Sequence, residues 1–145
     1  KFLLIILLTF LTTSCGFAKE IPVKIKPEQK ITTSNMNLGE GDWVNFVISE
    51  DVYVNSKISL KKGQKISGCI TSLEPNGYLV QPATLYIENF RTQGEKPIKL
   101  KGLVYKSGNP HEVFAEFFFF ELLRGGEVQI KPEKDEFMIY AEDDL

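Results

Sequence analysis

The sequence has few of the residues from which catalytic and metal sites are built. Its 145 residues include one histidine, His111, and two cysteines, Cys15 and Cys69. No histidine pair or cysteine cluster has the spacing of a zinc site, and no nucleophile motif accompanies His111. The neighbours of His111, Pro110 and Glu112, are more typical of an exposed helix start than of a general base. We therefore predict that the protein is not an enzyme and has no catalytic, cofactor-binding or metal-binding residues.

The chain also lacks a surplus of positive charge. It has 17 Lys and Arg residues against 19 Asp and Glu, a formal net charge of −2 at pH 7. Without a basic stripe, nucleic acid is excluded as an expected partner. Gly125-Gly126 follows a predicted helix, whereas the glycines of a phosphate-binding loop precede one. The sequence therefore indicates no small-molecule ligand.

The one long hydrophobic run lies at the start of the sequence. Lys1 is followed by apolar residues from Phe2 to Leu11, and then by small or polar residues from Thr12 to Gly16. A positive start, a short apolar run and small residues describe a secretory signal peptide. The run is shorter than the roughly 20 apolar residues that span a membrane. We predict a signal peptide over residues 1–18 and a single exported domain over residues 19–145.

Two processing sites compete at the end of this run. Gly16-Phe17-Ala18 fits signal peptidase cleavage after Ala18, which releases a soluble chain into the periplasm, and this is the preferred prediction. The alternative is a membrane lipoprotein lipidated at Cys15, since residues 11–15 resemble a bacterial lipobox with Thr12 in place of the usual Leu. In both cases Cys69 has no partner for an internal disulfide, and we predict that it is a small packing residue.

Short alternating segments separated by turns make up most of the remaining chain. In Asp51 to Leu73 we predict a strand, a tight Lys62-Gly63 turn and a second strand, forming a central hairpin. In the second strand, Ile66, Gly68 and Ile70 alternate with Lys65, Ser67, Cys69 and Thr71, as a half-buried antiparallel strand requires. This pattern of short alternating segments and turns predicts a mainly β fold, a small antiparallel β-barrel or sandwich.

Particular residues refine the predicted strands. Pro22 suggests that the first strand lies at a sheet edge, and Gly102 marks a bulge or barrel bend. Trp43 and Tyr53 are predicted core or cross-strand residues. The other predicted strands are residues 21–26, 30–34, 43–49, 83–90, 98–106, 127–131 and 136–141, the last two forming a hairpin around Pro132-Glu133-Lys134.

The sequence period changes after residue 108. Asn109 is a good N-cap, Pro110 suits a first helical position, and Gly125-Gly126 ends the segment, so we predict a short apolar helix over residues 111–124. A strand is the alternative, because aromatic residues favour strands. The run Phe117–Phe120 fits core packing best, and a partner or membrane surface is the other interpretation. The candidate interaction residues are Phe114, Phe117, Phe118 and Phe120.

Turn and core residues follow one another in a recognisable order along the chain after residue 40. They are Gly41-Asp42, Asp51-Val52, Leu60 to Gln64, Gly68, Pro82-Ala83, Ile87, Gly125-Gly126, Ile130 and Pro132. This order resembles that of small exported bacterial proteins that carry an Ile-Pro-Lys-Gly-Thr-like hairpin. It is also similar to the periplasmic β-barrel domain of the envelope-spanning scaffold subunit of type IV secretion systems. In that family a helical insertion contacts the outer membrane, and residues 110–124 stand in the corresponding place. The resemblance implies a β-barrel fold rather than a role.

Taken together, these patterns predict an exported, non-enzymatic protein of the bacterial cell envelope. We expect a structural or protein-interaction module whose partner is another envelope protein or the membrane surface. Two alternatives stay open: a membrane lipoprotein anchored through Cys15, and a small periplasmic hydrolase. Convergent carboxylates in a polar cleft would favour the hydrolase, whereas an exposed Phe114, Phe117 and Phe118 face would favour the interaction module.

Overall fold

A computed structural model describes residues 20–34, 37–54, 57–77, 81–108 and 125–141. These residues form β-strands joined by turns and contain no helix, which confirms the mainly β prediction. The predicted signal peptide and the predicted helix over 111–124 lie outside the described residues. The strands are β1 Ile21–Pro27, β2 Ile31–Thr32, β3 Trp43–Ile48, β4 Val52–Val54, β5 Lys57–Leu60, β6 Lys65–Glu74, β7 Thr84–Thr92, β8 Lys99–Leu100, β9 Val104–Ser107, β10 Gln129–Ile130 and β11 Phe137–Ala141.

One antiparallel sheet curls into a nearly closed barrel. Its strand order is β11-β1-β3-β6-β7-β8, and β9 continues along β7 beyond β8. The two ends of the sheet meet at Lys101 and Tyr140, where each backbone N–H donates to the other residue's carbonyl over 2.7 and 2.6 Å. Closure satisfies backbone groups that an open edge would expose. The predicted small antiparallel barrel is therefore observed, and we call the contact of β8 and β9 with β11 the seam.

The alternating strands supply the core, as their sequence pattern predicts. On β3, Val44, Phe46 and Ile48 point inward, and the side chains between them are partly or fully exposed. The rings of Phe46 and Phe90 meet edge to face with centroids 5.6 Å apart. Each such buried side chain contributes about 1.5–3 kcal/mol to folding. The buried cluster of the described residues draws on nearly every strand and includes Val23, Ile25, Ile31, Leu60, Ile66, Ile70, Leu85, Ile87, Leu100, Val104, Ile130 and Ile139.

Two opposed bulges adjust the pairing of β6 with β7. Gly68 on β6 lies opposite two residues of β7, Asn89 and Phe90, and Asn89 adopts a left-handed φ of 54°. Thr71 is then the extra residue on β6, so the original register returns. A Cβ atom at Gly68 would lie 2.5 Å from Phe90 Cε1, so only glycine leaves room for the aromatic ring. The bulges thus turn Phe90 into the core while the long strands stay paired.

The predicted irregularity at Gly102 is confirmed. Three residues, 101–103, separate the β8 and β9 pairs with β7, whereas only two residues of β7 lie opposite them. Gly102 has a φ of 154°, and a Cβ atom there would lie 2.7 Å from Ile139 Cγ2. Because the chain bulges here, Lys101 leaves β7 and pairs with Tyr140 of β11. Gly102 therefore makes the closure of the barrel possible.

The predicted central hairpin is wrong in its pairing. The first strand divides into β4 and β5, which pair with each other, while β6 pairs with β3 and β7. The Lys62-Gly63 turn is present, but Gly63 N–H donates to Ile48 O over 2.8 Å and Ile48 N–H donates to Gln64 O over 3.0 Å. The turn is therefore fastened to the end of β3, which directs β6 alongside β3.

The predicted hairpin of residues 127–131 and 136–141 is also wrong. β10 pairs with β2 in a separate two-stranded sheet, and β11 pairs with β1 in the barrel. Between them, Asp135 accepts a hydrogen bond from Lys131 N–H, and Asp135 N–H donates to Lys131 O over 2.9 Å. This wide turn carries the chain from one sheet to the other. The predicted strand over residues 30–34 is present as β2.

The first strand is not an edge strand, contrary to the prediction from Pro22. β1 lies between β11 and β3. Its pairs with β3 cover only Ile25 to Pro27, whereas Pro22 is opposite Tyr140 of β11. Proline has no N–H to donate, so it is tolerated where a strand has one neighbour rather than two. The edge character that Pro22 indicates is therefore local to the start of β1.

Candidate interaction surface

Exposed aromatic and aliphatic side chains gather on the outside of the barrel around the seam. Tyr86 of β7 lies directly opposite Tyr105 of β9, and their ring centroids are 4.9 Å apart. Leu103 and Tyr105, two residues apart, are each 49% exposed. Met138 and Tyr140 are likewise two residues apart on β11, and both are exposed. We call these five residues the aromatic strip.

Barrel closure brings the two parts of the aromatic strip to the same side of the barrel. The backbone pair between Lys101 and Tyr140 places β11 beside the bulge that carries Leu103 and leads into β9 with Tyr105. Residues that are far apart in the sequence thereby share one outer face. Tyrosine and methionine are enriched where proteins contact each other, and contiguous exposed apolar patches mark such contacts. The strip is therefore the described surface that best fits an interaction site.

A second outer feature lies on strands β3, β6 and β7. The Arg91 guanidinium stacks over the Trp43 ring, 3.8 Å from its centroid, a contact that contributes about 0.5–1 kcal/mol at an exposed site. Beside it, Gln93 Nε2 donates to Ser67 Oγ over 2.7 Å and to Asn45 Oδ1 over 2.9 Å. These polar side chains form hydrogen bonds with one another across β6. This face is therefore self-contained, in contrast to the aromatic strip.

Trp43 and Tyr53 are not core residues, which corrects one part of their prediction. Trp43 is 44% exposed and Tyr53 is 59% exposed. Both do form cross-strand pairs, Trp43 with Cys69 and Tyr53 with Ile58. Each stands on the outward position of its strand, where alternation places polar residues and the outer aromatics. Their size suggested burial, but their strand position decides the outcome.

Cys69 is a free, partly buried thiol. Its Sγ is 3.7 Å from the carbonyl oxygen of Ile70, a weak hydrogen bond. In register it lies between Trp43 on β3 and Glu88 on β7. The register thus places the small side chain between two larger residues, and its role as a packing residue stays a prediction.

The chain leaves and re-enters the described structure at one point on the barrel rim. Gly108 N–H donates to Ala83 O over 2.9 Å, and Ala83 N–H donates to Gly126 O over 3.0 Å. A Cβ atom at Gly108 would lie 2.0 Å from Gly126 O, so the two backbones touch in a way that only glycine permits. Asn76 Nδ2 adds a 2.8 Å hydrogen bond to Gly125 O. The two ends of segment 109–124 are therefore held together beside the end of β9.

The residues that the sequence singled out for function fall mainly elsewhere. The candidate interaction residues, the two processing residues and the single histidine lie outside the described residues. Within the described ranges, no group of three His, Cys, Asp or Glu side chains is placed to hold a metal ion. No helix long and apolar enough to cross a membrane occurs in that part of the chain. The predicted residues that lie outside the described ranges are Phe114, Phe117, Phe118, Phe120, Cys15, Ala18 and His111.

The aromatic strip was not predicted as a site. Alternation with Leu85 and Val104 does place Tyr86 and Tyr105 on outer faces, so a signal for their exposure was present. Their grouping depends on the pairing of β7 with β9 and of residue 101 with β11, which no local pattern carries. The surface is thus defined by register and exposure.

No protein-family model, curated protein or solved structure matches this chain.

Proposed function

We propose that the protein is an exported, non-enzymatic component of the bacterial cell envelope that binds another envelope protein through the aromatic strip. The observation that carries this proposal is the group of exposed side chains Leu103, Tyr105 and Tyr140 on the two sides of the Lys101–Tyr140 backbone pair. Large aromatic side chains dominate the energetics of protein interfaces when a partner covers them. The same side chains contribute no such burial free energy while they face solvent.

The strip is also well suited to binding because it is rigid. All of its residues except Leu103 stand on paired strands, and Tyr86 and Tyr105 already contact each other in the free protein. A surface that is ordered in advance loses little conformational entropy when a partner docks. We expect affinity to come from Tyr105 and its immediate neighbours rather than from the polar turns.

The Phe-rich segment enters the proposal as a second contact. Phe114, Phe117, Phe118 and Phe120 belong to the segment whose ends are fastened at Gly108 and Gly126, next to the end of β9. Because Tyr105 is on β9, the segment joins the barrel close to the aromatic strip. The membrane surface is the alternative partner for these phenylalanines. In either case the barrel is the scaffold to which the segment is attached.

Export is tested by the intact mass and cellular fraction of the protein after expression from its own leader in a bacterium. The proposal expects a soluble periplasmic species that begins at Lys19. A diacylated membrane species that begins at Cys15 would establish the lipoprotein alternative and keep the barrel as its periplasmic head. A cytoplasmic species that retains residues 1–18 would contradict export.

Binding is tested by the native size of the protein extracted from the envelope of its own host. We expect wild-type protein to migrate in a complex larger than the monomer. The double variant Leu103→Thr, Tyr105→Thr keeps strand-forming residues but removes the exposed apolar surface, and should migrate as a monomer. Tyr53→Thr, which removes an exposed tyrosine from β4, is the matched control and should keep the complex. Equal loss or retention in both variants would contradict the strip as the binding surface.

A further inference from the structure

A polar cleft opens at the seam beyond the point of closure. From Lys101 and Tyr140 the two sides of the seam diverge, and five residues further on the Lys106 ammonium bridges the gap to Asp135 Oδ1 over 2.5 Å. These two residues stand where the antiparallel register of the closure would continue. The cleft has a volume of about 240 Å³ and is lined by Lys106, Ser107, Glu127, Gln129, Lys131, Lys134 and Asp135. We call it the seam cleft.

Asp135 is already committed within the seam cleft. Its Oδ1 accepts from Lys106 Nζ, its Oδ2 accepts from Lys131 N–H over 2.7 Å, and its side chain is only 15% exposed. Burial acts to raise the pKa of Asp135, but the hydrogen bonds from Lys106 and Lys131 and their positive charges outweigh it and lower the pKa below the ordinary 3.8. Asp135 is therefore a fixed carboxylate whose charge Lys106 balances.

The remaining charges of the seam cleft do not balance. Within the described part of the chain, no ion pair joins Lys131 Nζ, Lys134 Nζ or the Glu127 carboxylate to another group. The positive charge of Lys131 also acts on Asp135, so the three lysines and two carboxylates of the lining together leave one positive charge uncompensated. The Ser107 hydroxyl and the Gln129 amide add hydrogen-bond donors to the lining. The cleft offers a net positive charge with polar groups around it.

The two lysines of the seam cleft stand on a single turn. Lys134 N–H donates to Lys131 O over 3.2 Å, so both lysines belong to one hydrogen-bonded turn. On the other wall, Gln129 lies on β10, which pairs with β2. The volume corresponds to about eight water molecules, which suits a small molecule and is below the range of larger ligand pockets. Lysine ammonium groups bind phosphate and carboxylate oxygens as point charges.

We propose that the seam cleft binds a small dianion, either a phosphate group or a dicarboxylate, between the ammonium groups of Lys131 and Lys134. The Gln129 amide donates a further hydrogen bond to its oxygens, and the Ser107 hydroxyl turns to it from its long 3.4 Å hydrogen bond to Gly108 O. Two negative charges relieve the repulsion between the two lysines, whereas one negative charge leaves it half compensated. The Lys106–Asp135 pair acts as the fixed floor of the site. This site shares no residue with the aromatic strip, although Lys106 directly follows Tyr105 on β9, and it does not depend on a partner protein.

The direct test is titration of the full chain, isotopically labelled and expressed with its own leader, with inorganic phosphate, succinate or acetate at constant ionic strength. The expected result is saturable NMR shifts of the backbone amides of Ser107, Gln129 and Lys131 with at least one dianion, and none with acetate. Saturation by phosphate alone assigns a phosphate group, and saturation by succinate alone assigns a dicarboxylate. Absence of saturation with both dianions, or equal response to acetate, overturns the proposal.

Charge variants distinguish specific binding in the seam cleft from a general attraction of anions to surface lysines. Lys131→Gln and Lys134→Gln should each weaken dianion binding about fivefold, the effect of one charge at contact distance in water. Lys61→Gln with Lys62→Gln, on a distant turn, should leave it unchanged. Glu127→Gln removes the opposing carboxylate and should tighten binding by a similar factor, which damage to the fold would not do. Weaker binding in the Glu127 variant, or equal weakening in the distant pair, would refute the site.

Discussion

The contact of Gly68 with Phe90 gives the most exact test of the barrel core. In Gly68→Ala the new methyl would lie 2.5 Å from Phe90 Cε1 and 2.7 Å from Ile87 Cγ2. Both neighbours are almost completely buried, and Phe90 is held further by its edge contact with Phe46. Neither can swing away into solvent, so the sheet or the rotamers shift. Overpacking of this kind lowers the free energy of unfolding by about 1–3 kcal/mol.

A double-mutant cycle shows whether the clash is the cause. Phe90→Leu alone should cost about 1–2 kcal/mol, less than the roughly 3–5 kcal/mol of a Phe→Ala change, because part of the ring volume is kept. In the double variant Gly68→Ala, Phe90→Leu the methyl enters the space that the ring vacates. We expect the double variant to be less destabilised than the sum of the single variants by about 1 kcal/mol or more.

The assay is urea unfolding followed by far-ultraviolet circular dichroism. All variants must show the same slope of the free energy of unfolding against urea concentration. Ser72→Ala, on the same strand but partly exposed, is the control and should change stability by no more than about 0.5 kcal/mol. A neutral Gly68→Ala, or strict additivity in the cycle, would refute the packing described for β6 and β7.

Other residues carry further predictions. Because the pKa of Asp135 is lowered in the folded protein, its carboxylate stabilises the fold above about pH 3.8, and this contribution is lost as the pH falls through the folded-state pKa. Asp135→Asn should therefore reduce the pH dependence of the free energy of unfolding in urea between about pH 5 and pH 2. An unchanged pH dependence would contradict the ion pair. Gly102→Ala should destabilise by about 1–3 kcal/mol in urea, since its Cβ would meet Ile139; a neutral effect would contradict the seam. Arg91→Ala should cost only about 0.5–1 kcal/mol and alter Trp43 fluorescence; unaltered fluorescence would contradict the stacking.

Local patterns in the sequence were sufficient to predict the faces of individual strands. Val44, Phe46 and Ile48 are buried because their spacing matches the two-residue period of a strand, and this period requires no knowledge of partners. Gly102 was also informative, since a lone glycine within an alternating segment indicates a bulge. These signals depend on neighbouring residues, and they were confirmed.

Strand pairing could not be predicted with the same success. The Lys62-Gly63 turn looks like a hairpin turn, but Gly63 and Gln64 form backbone hydrogen bonds with Ile48 at the end of β3. β10 likewise finds β2, almost 100 residues earlier in the sequence, rather than β11 beside it. Such long-range pairs are selected by the packing of the whole barrel, which short windows do not contain. The same reason hides the aromatic strip, which exists only once the seam closes.

Site-specific photocrosslinking in the native host tests the central claim most directly. A benzophenone side chain at position 105 lies in the aromatic strip, and the same group at position 53, which is somewhat more exposed, is the control on β4. The account predicts a crosslinked species of one defined mass from Tyr105→benzoylphenylalanine that is absent from the Tyr53 variant, and that is lost when Leu103→Thr is added. Crosslinks of the same mass from both positions, or from position 53 alone, would contradict a binding surface at the seam.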